Sequence, residues 1–500
     1  MSISGAEYTA WLGADGQARE ILVEAGCHSG GAEITRYLSR YGYTTGAGDT
    51  PASTSYAARL SGSITLSRRV SISSADPAVQ LTLSEIELDN TDGALDGWMD
   101  DVWEKRALRV WIGDPSWARA DFRPVFSGRS GGLQPAGRNR LRLKIYDELA
   151  RLNFPVSEAT LGGSSVNKDA MLPIVFGECF NVEPLLSNAA THEYQAHNGA
   201  IEAILEAREN GAPITITATP ATGKFTVNAT PYGQVSCDVQ GAKTGGGTYI
   251  NTVATIVQEL AVAYGDPATR LAAGEIDSAN FSAFNAANPQ TVGLYLKDKT
   301  NVLEACALLA RSVQASLHFS RAGKLRLWRP PTGAVAPVMA FTEGDMEAGS
   351  FSATERLPAQ PAVTLGWGRN WTPQQQLAGG LPETSVTELK TEWRETAVQD
   401  AAAVALHRYT ARPVREETLL VGESDAAAEA NTRLAFRASG HTIVDFRTTL
   451  AALELELGDA ITLTHPRFGC ASGKTGWIIG IEEQLGASNS PFRIRLEVLL

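Results

Sequence analysis

Between Leu60 and Leu88 apolar and polar residues alternate, in SGSITLSRRVSIS and again in AVQLTLSEIEL, and a period of two marks strands buried on one face. The alternation breaks at the turn-rich DNTDGALDG and resumes at ALRVWIG, FRPVFSG and RLRLKIYD. In the first fifty residues AREILVEAG is the one clear strand, followed by GYTTGAGDTPASTS, whose composition suits a loop or arm. The stretch AMLPIVFGECFNVEPLLSN predicts a buried strand around Ile174 to Phe176 and opens a middle region of different texture. There the spacing turns helical. Ala200 to Arg208 places Ile201, Ile204 and Leu205 on one helical face with Gly211 beyond, before ITITAT and KFTVNAT return to strand chemistry. A second helix is predicted from Val253, Ile256, Val257, Leu260 and Tyr264, stopped by Gly265 and Pro267. A third begins at Asn301, which stands in capping-box spacing to Glu304, with Val302, Cys306, Leu309 and Val313 on its apolar face. ASLHFSRAGKLRLWRP then reads as two strands around an Arg-Ala-Gly-Lys hairpin. Beyond Pro330 and Pro331 come AVTLGWG, a helix from Asp425 to Phe436 closed by Gly440, and the strands TIVDFRTTL, AITLTHP, TGWIIGIEE and FRIRLEVLL. No repeat of fixed period is evident.

The expected fold is mostly β with an α+β middle region, and 500 residues at about 150 per domain give three to four domains. The pattern divides the chain into an N-terminal arm with strands (1–59), a first barrel-like domain (60–165), a mixed middle (166–340) and a C-terminal β-rich domain with a second barrel (341–500). Hydrophobic residues at 43% and charged residues at 20% exclude a disordered or fibrous chain. Acidic residues outnumber basic ones by 55 to 43, a net charge of −12, which argues against sequence-specific nucleic-acid binding. No run of 18 apolar residues predicts a membrane span, and the N-terminus has no secretion-signal pattern. Cys27, Cys179, Cys237, Cys306 and Cys470 are odd in number, scattered and free of CxxC spacing, as expected of reduced thiols rather than a disulfide or metal framework.

Candidate chemistry is sparse. GCASGKT, from Gly469 to Thr475, has three residues between its glycines where a phosphate loop needs four, and it leads into a strand instead of a helix. His192 and His197 in HEYQAH flank Glu193 at a spacing one residue too long for a zinc-binding HExxH. His28, His318, His407, His441 and His465 stand alone. The acids Asp89, Asp92, Asp96, Asp100 and Asp101 with Asn90 could present oxygen ligands. Aligned on Gly93, however, a calcium loop would have Leu88 at its first ligand position and Met99 at its bidentate one. That stretch reads as a solvated turn. Trp98, Trp103, Trp111 and Trp117 suit core or subunit packing more than a sugar platform. No catalytic residue, metal site or cofactor is assigned.

The run ELDNTDGALD, RALRVWIGD, PVFSGRSGGL and RLRLKIYDELARLN resembles the first barrel of tail-hub proteins of long-tailed bacteriophages. In the C-terminal third AVTLGWGRNWTPQ, DAAAEANTRLAF, ELELGDAITLTHPRFG, TGWIIGIEE and IRLEVLL are similar to the late hub domains. The likeness touches about two thirds of the chain and leaves roughly Ser187 to Asp298 unmatched. Its marks are turns, with Asn90, Asp92 and Gly93 in one and Gly458 and Asp459 in the other. The resemblance implies a virion protein of the tail tip or baseplate, a homotrimeric ring closing the tail tube for DNA ejection. It also implies contacts with the distal tail protein, the tape-measure protein and receptor-binding fibres. Some relatives carry a fused peptidoglycan hydrolase or a cysteine-ligated cluster, and this chain shows neither signature. On this reading Glu454, Glu456 and Asp459 are candidates for the channel wall, with Leu453, Leu455 and Leu457 on the opposite, buried face. The rival readings are a tail-displayed cell-wall hydrolase, a sugar-binding module and a sixfold distal-tail adaptor.

Overall fold

The computed structural model describes residues 3–14, 16–72, 83–410, 412–486 and 492–500. The chain is mostly β, with several sheets and a middle region that mixes sheet and helix. Ten strands build the part of the chain that carries the site. After the hairpin of Glu20–Ser29 and Ala32–Ser39 come β1 (Ile64–Arg69), β2 (Leu83–Asp89), β3 (Ala107–Gly113), β4 (Arg123–Pro135) and β5 (Arg140–Asp147). Past the middle region come β6 (Ser352–Leu357), β7 (His441–Thr448), β8 (Ala460–Thr464), β9 (Lys474–Leu485) and β10 (Arg493–Leu499). The alternation read over residues 78–82 lies outside the described residues.

The strands β2 to β5 belong to a nine-stranded sheet and β7 to β10 to a seven-stranded one. Neither sheet closes on itself among the described residues, so each is open where a barrel was expected. Their inner parts have the same construction. The spatial order is β3-β4-β5-β2 in one and β8-β9-β10-β7 in the other, and every neighbouring pair is antiparallel. Ala107 faces Arg129 in the first and Ala460 faces Trp477 in the second. Two residues further on, the second strand of each order carries a one-residue bulge, Gly131 in β4 and Ile479 in β9. Both lie opposite the same step of the neighbouring strand, Lys144/Ile145 and Glu497/Val498. Those neighbouring strands read RLRLKI and RIRLEV. A bulge sharpens the local right-handed twist, so the matching positions bend the two sheets at equivalent places. One unit is thus used twice. The sequence pattern shows no repeat, because the loops between matched strands differ in length.

β1 ties the two units together. It leaves the first unit and forms an antiparallel ladder with β9, from Arg69 opposite Gly480 to Ile64 opposite Leu485. Alternation along β1 buries Ile64, Leu66 and Arg68 and exposes Thr65, Ser67 and Arg69. Ile64 and Leu66 join one continuous core that holds Ile86 and Leu143 of the first unit and Phe446 and Leu496 of the second.

Three helical expectations need revision. The N-terminal segment holds a helix, Gly5–Gly13, that hydrophobic spacing did not signal; Ser4 and Glu7 cap it reciprocally, and it buries Tyr8, Trp11 and Leu12. Ala200 to Arg208 is not helical: Ile201–Glu209 is a strand paired with Val235–Ala242, and Leu205, expected on a buried helical face, is exposed. Cross-strand pairing overrides the local period there. Asn301 does occupy the N-cap of the helix Val302–Ser312, but its side chain donates to Asn153 Oδ1 instead of capping, so the capping box does not form. The helices Val253–Ala263 and Glu423–Arg437 and the hairpin Ser316–Phe319/Leu325–Trp328 lie where the pattern put them, and Ser278–Ala287 is an additional helix. All five cysteines are buried and free.

Candidate functional site at the joint of the two units

Where β1 meets the second unit, four charged side chains are drawn out of water together. Arg68 of β1 donates to Glu456 Oε2 at 2.9 Å and to Glu483 Oε1 of β9 at 3.1 Å. Arg321, in the turn of the middle-region hairpin, donates through Nε to the same Glu483 oxygen at 3.0 Å and through its backbone amide to Glu456 Oε1, also at 3.0 Å. Its Nη1 also reaches the Leu455 carbonyl. The side chains of Arg68 and Arg321 are 6% exposed and that of Glu483 only 1%. Desolvating charges is costly, and the cluster is tolerable because two cations face two anions with charge-assisted hydrogen bonds between them.

The electrostatics follow from that balance. Burial would raise the Glu456 carboxyl, but Arg68 and Arg321 outweigh it and hold its pKa down at about 2. Burial likewise opposes the charge on Arg68, yet Glu456 and Glu483 push its pKa above the ordinary value. For Arg321 burial prevails and the shift is downward. His318 sits beside the cluster, 4% exposed and without a hydrogen-bond partner at either ring nitrogen among the described residues. Burial, aided by Arg326 and Arg68, pushes its pKa down to about 3, so it packs as a neutral ring. Asp147, at the end of β5, is buried near Arg68 and rises to about 7, chiefly by desolvation. Its Oδ1 accepts from the Leu149 amide. The joint is a structural lock: each of its carboxylates is held by both arginines, Arg68 and Arg321.

The three acids of ELELGD do not form one face. Glu454 is exposed and accepts from Thr9 Oγ1 of the N-terminal helix at 2.5 Å. Glu456 lies in the lock, and Asp459 Oδ2 accepts from the Glu456 amide at 2.8 Å. Leu453, Leu455 and Leu457 are buried, although Leu450–Glu454 forms a 3-10 turn rather than strand. Gly458 has φ +89°, and a Cβ there would run into the Trp328 ring, so the turn fits against that ring only as glycine.

In the first unit Asn90 donates to Asp96 and accepts from the Leu95 amide, closing the turn in which Gly93 has φ +71°. Asp92 receives both ends of the Arg59 guanidinium at 2.9 and 2.8 Å, and with the Ala94 amide this holds its carboxyl at about 2. Asp89 accepts from Thr91 and Asp101 from Arg36. Asp89, Asp92, Asp96 and Asp101 therefore serve internal partners, and no group of three metal-ligating side chains occurs among the described residues. His197 is buried, with Nδ1 accepting from the Val175 amide, while His192 stands in a turn at φ +53° and Glu193 pairs with Lys224. Trp103 is buried and Trp98, Trp111 and Trp117 are half-buried, with Arg119 over Trp111 and Trp11 against Trp117. None of the four stands out as an exposed platform. The lock itself went unread in the sequence, where Arg68, Arg321, Glu456 and Glu483 are single charges far apart.

No protein-family model and no curated protein matches the chain. Among solved structures it is similar to a tail protein from Neisseria meningitidis MC58, with 8% identity and a TM-score of 0.39 over 97% of each chain. It is also similar to the 43 kDa tail protein of prophage MuSo2 from Shewanella oneidensis, with 9% identity and a TM-score of 0.41 over 96% of each. A third is a prophage tail protein from Listeria monocytogenes EGD-e, with 8% identity and a TM-score of 0.37 over 96% of this chain and 94% of that one.

Proposed function

We propose that the chain is a structural hub of a bacteriophage tail, a homotrimeric ring at the tail tip or baseplate that closes the tube and passes DNA during ejection. The observation that carries this reading is the repeated unit. Two four-strand units of equal order, register and bulge position, fused by one crossing strand, let three chains present six equivalent units to a sixfold tube. The first-barrel motifs and ELELGDAITLTHPRFG, TGWIIGIEE and IRLEVLL run along these two units, while AVTLGWGRNWTPQ and DAAAEANTRLAF lie just before the second, and the regions 60–165 and 341–500 would be the ring-forming domains around 166–340. The partners on this reading are the distal tail protein, the tape-measure protein and receptor-binding fibres. The chain acts as a scaffold and not as an enzyme, in keeping with charges that lock its own units together. Of the three acids first placed at a channel wall, Glu454 is the one left exposed to serve there. An acidic wall repels the polymer it conducts.

Native mass spectrometry tests the stoichiometry. A stable mass of three chains is expected; a hexamer, or a monomer alone at high concentration, rejects the hub. Duplex DNA retained by the purified ring at physiological salt would count against the conduit.

A further inference from the structure

The joint inside the chain shows how one unit engages the next, and each unit retains one unused half of such a joint. In the second unit β9 is covered on one side by β8 as far as Trp477 and by β1 from Gly480 to Leu485. In the first unit β3 covers β4 only as far as Arg129, with Ser130 held by the backbone of Lys105 and Arg106. Gly132 is the counterpart of Gly480, one residue past the bulge. From there to Pro135 this side of β4 has no ladder partner among the described residues, and Gln134 and Pro135 are exposed.

The missing strand has a counterpart as well. Just before β1, Leu60 and Ser61 pair with Leu88 and Glu87 of β2. At the matching place in the second unit Met346 bridges Thr448 of β7, and β6 follows. β1 keeps contact with β2 through Thr65 and Ser84 while its other edge pairs with β9. β6 lies beside β7 more closely, in an antiparallel ladder from Ser352 opposite Asp445 to Leu357 opposite His441, but its other edge is the outer edge of the seven-stranded sheet, and Ser352 to Arg356 are all exposed. One unit therefore has a strand without an acceptor and the other an acceptor without a strand.

We propose that β6 of one copy pairs with the Gly132–Pro135 edge of a second copy, reproducing between chains the joint that β1 and β9 make within one. The contact joins two different surfaces, head to tail, and such a contact closes a ring when the rotation between copies divides a full turn. Strand addition of this kind gives ladder partners to two edges that have none among the described residues, and Pro135, which lacks an N–H, ends the ladder after a few residues. The inference rests on the hub reading for the number of copies only.

The test is a cross-link. Gln134→Cys and Thr354→Cys are introduced into the full chain, whose own thiols are all buried. A flexible bis-maleimide is then added; each thiolate adds across one maleimide double bond, forming a C–S bond while the neighbouring carbon takes up a proton. The double variant is expected to give covalent species up to the full assembly. A mixture of the two single variants should stop at pairs, and neither single variant should cross-link alone. A second set, Glu355→Cys with Pro135→Cys, reads the same contact should one of the first pair fail to fold. A trimer in native mass spectra without these cross-links overturns the edge pairing and leaves the hub standing. Cross-links in an assembly that is not three copies uphold the pairing and reject the hub. Cross-linking of Thr354→Cys with itself overturns the pairing, as does a chain that stays monomeric.

Discussion

Arg68 is the side chain through which most of the joint passes, since it reaches Glu456 and Glu483 from the strand that ties the two units together. Arg68→Met keeps the length but leaves two acids sharing Arg321, and a broken buried pair costs about 3–5 kcal/mol; chemical denaturation should register a loss of that order. Asp147 behaves in the opposite sense. Its folded pKa of about 7 lies above the ordinary 3.8. Between those values the folded state holds a proton that the unfolded chain has released, so stability falls as pH rises through this window. Asp147→Asn keeps the acceptor for the Leu149 amide and removes the penalty. The variant is expected to be more stable than the parent at pH 8, by up to about 4 kcal/mol, and equal to it below pH about 4. Gly93→Val forces a β-branched residue into φ +71° and should cost on the order of 1–3 kcal/mol, read as a lower melting temperature. The turn glycines could be read from sequence because turn chemistry is local. The lock could not, because a lone Arg or Glu at an alternating strand position looks the same whether it meets water or a partner hundreds of residues away.

At the scale of elements, alternation located the strands because each large sheet buries one face. Helical spacing located Val253–Ala263 because that helix buries Val253, Ile256, Val257 and Leu260 along one side. The same rule failed at Ile201–Glu209, where a spacing that fits a helix also fits an irregular strand with a register shift after Ile204. It missed Gly5–Gly13, whose three buried side chains are too few to set a period. The repeat was legible in RLRLKI and RIRLEV, but unequal loops hid it from any search at fixed spacing. The bulge is the element that makes the units alike, and it is testable. Deleting Ile479 moves part of β9 by one residue and turns its side chains to the wrong face. That deletion should lower the melting temperature far more than deletion of Ser472 from the loop between β8 and β9.

For the whole molecule, the continuous core predicts that the two large sheets unfold together although a long middle region separates them in sequence. Hydrogen exchange should show Arg68→Met lowering protection in β2 to β5 and in β7 to β10 alike; loss confined to one sheet would show that the joint does not couple them. The crossing strand also has a consequence in time. Arg68 and Glu483 are 415 residues apart in the chain. At about 5–20 residues per second, β1 leaves the ribosome roughly 20–80 s before the edge it will cover has been made. Through that interval the nascent chain carries a strand that has no place to go, and the two arginines ending ITLSRR are the kind of charge that keeps a waiting edge from joining the wrong neighbour. The same residue that later locks the folded units together thus guards the chain while it is still being written.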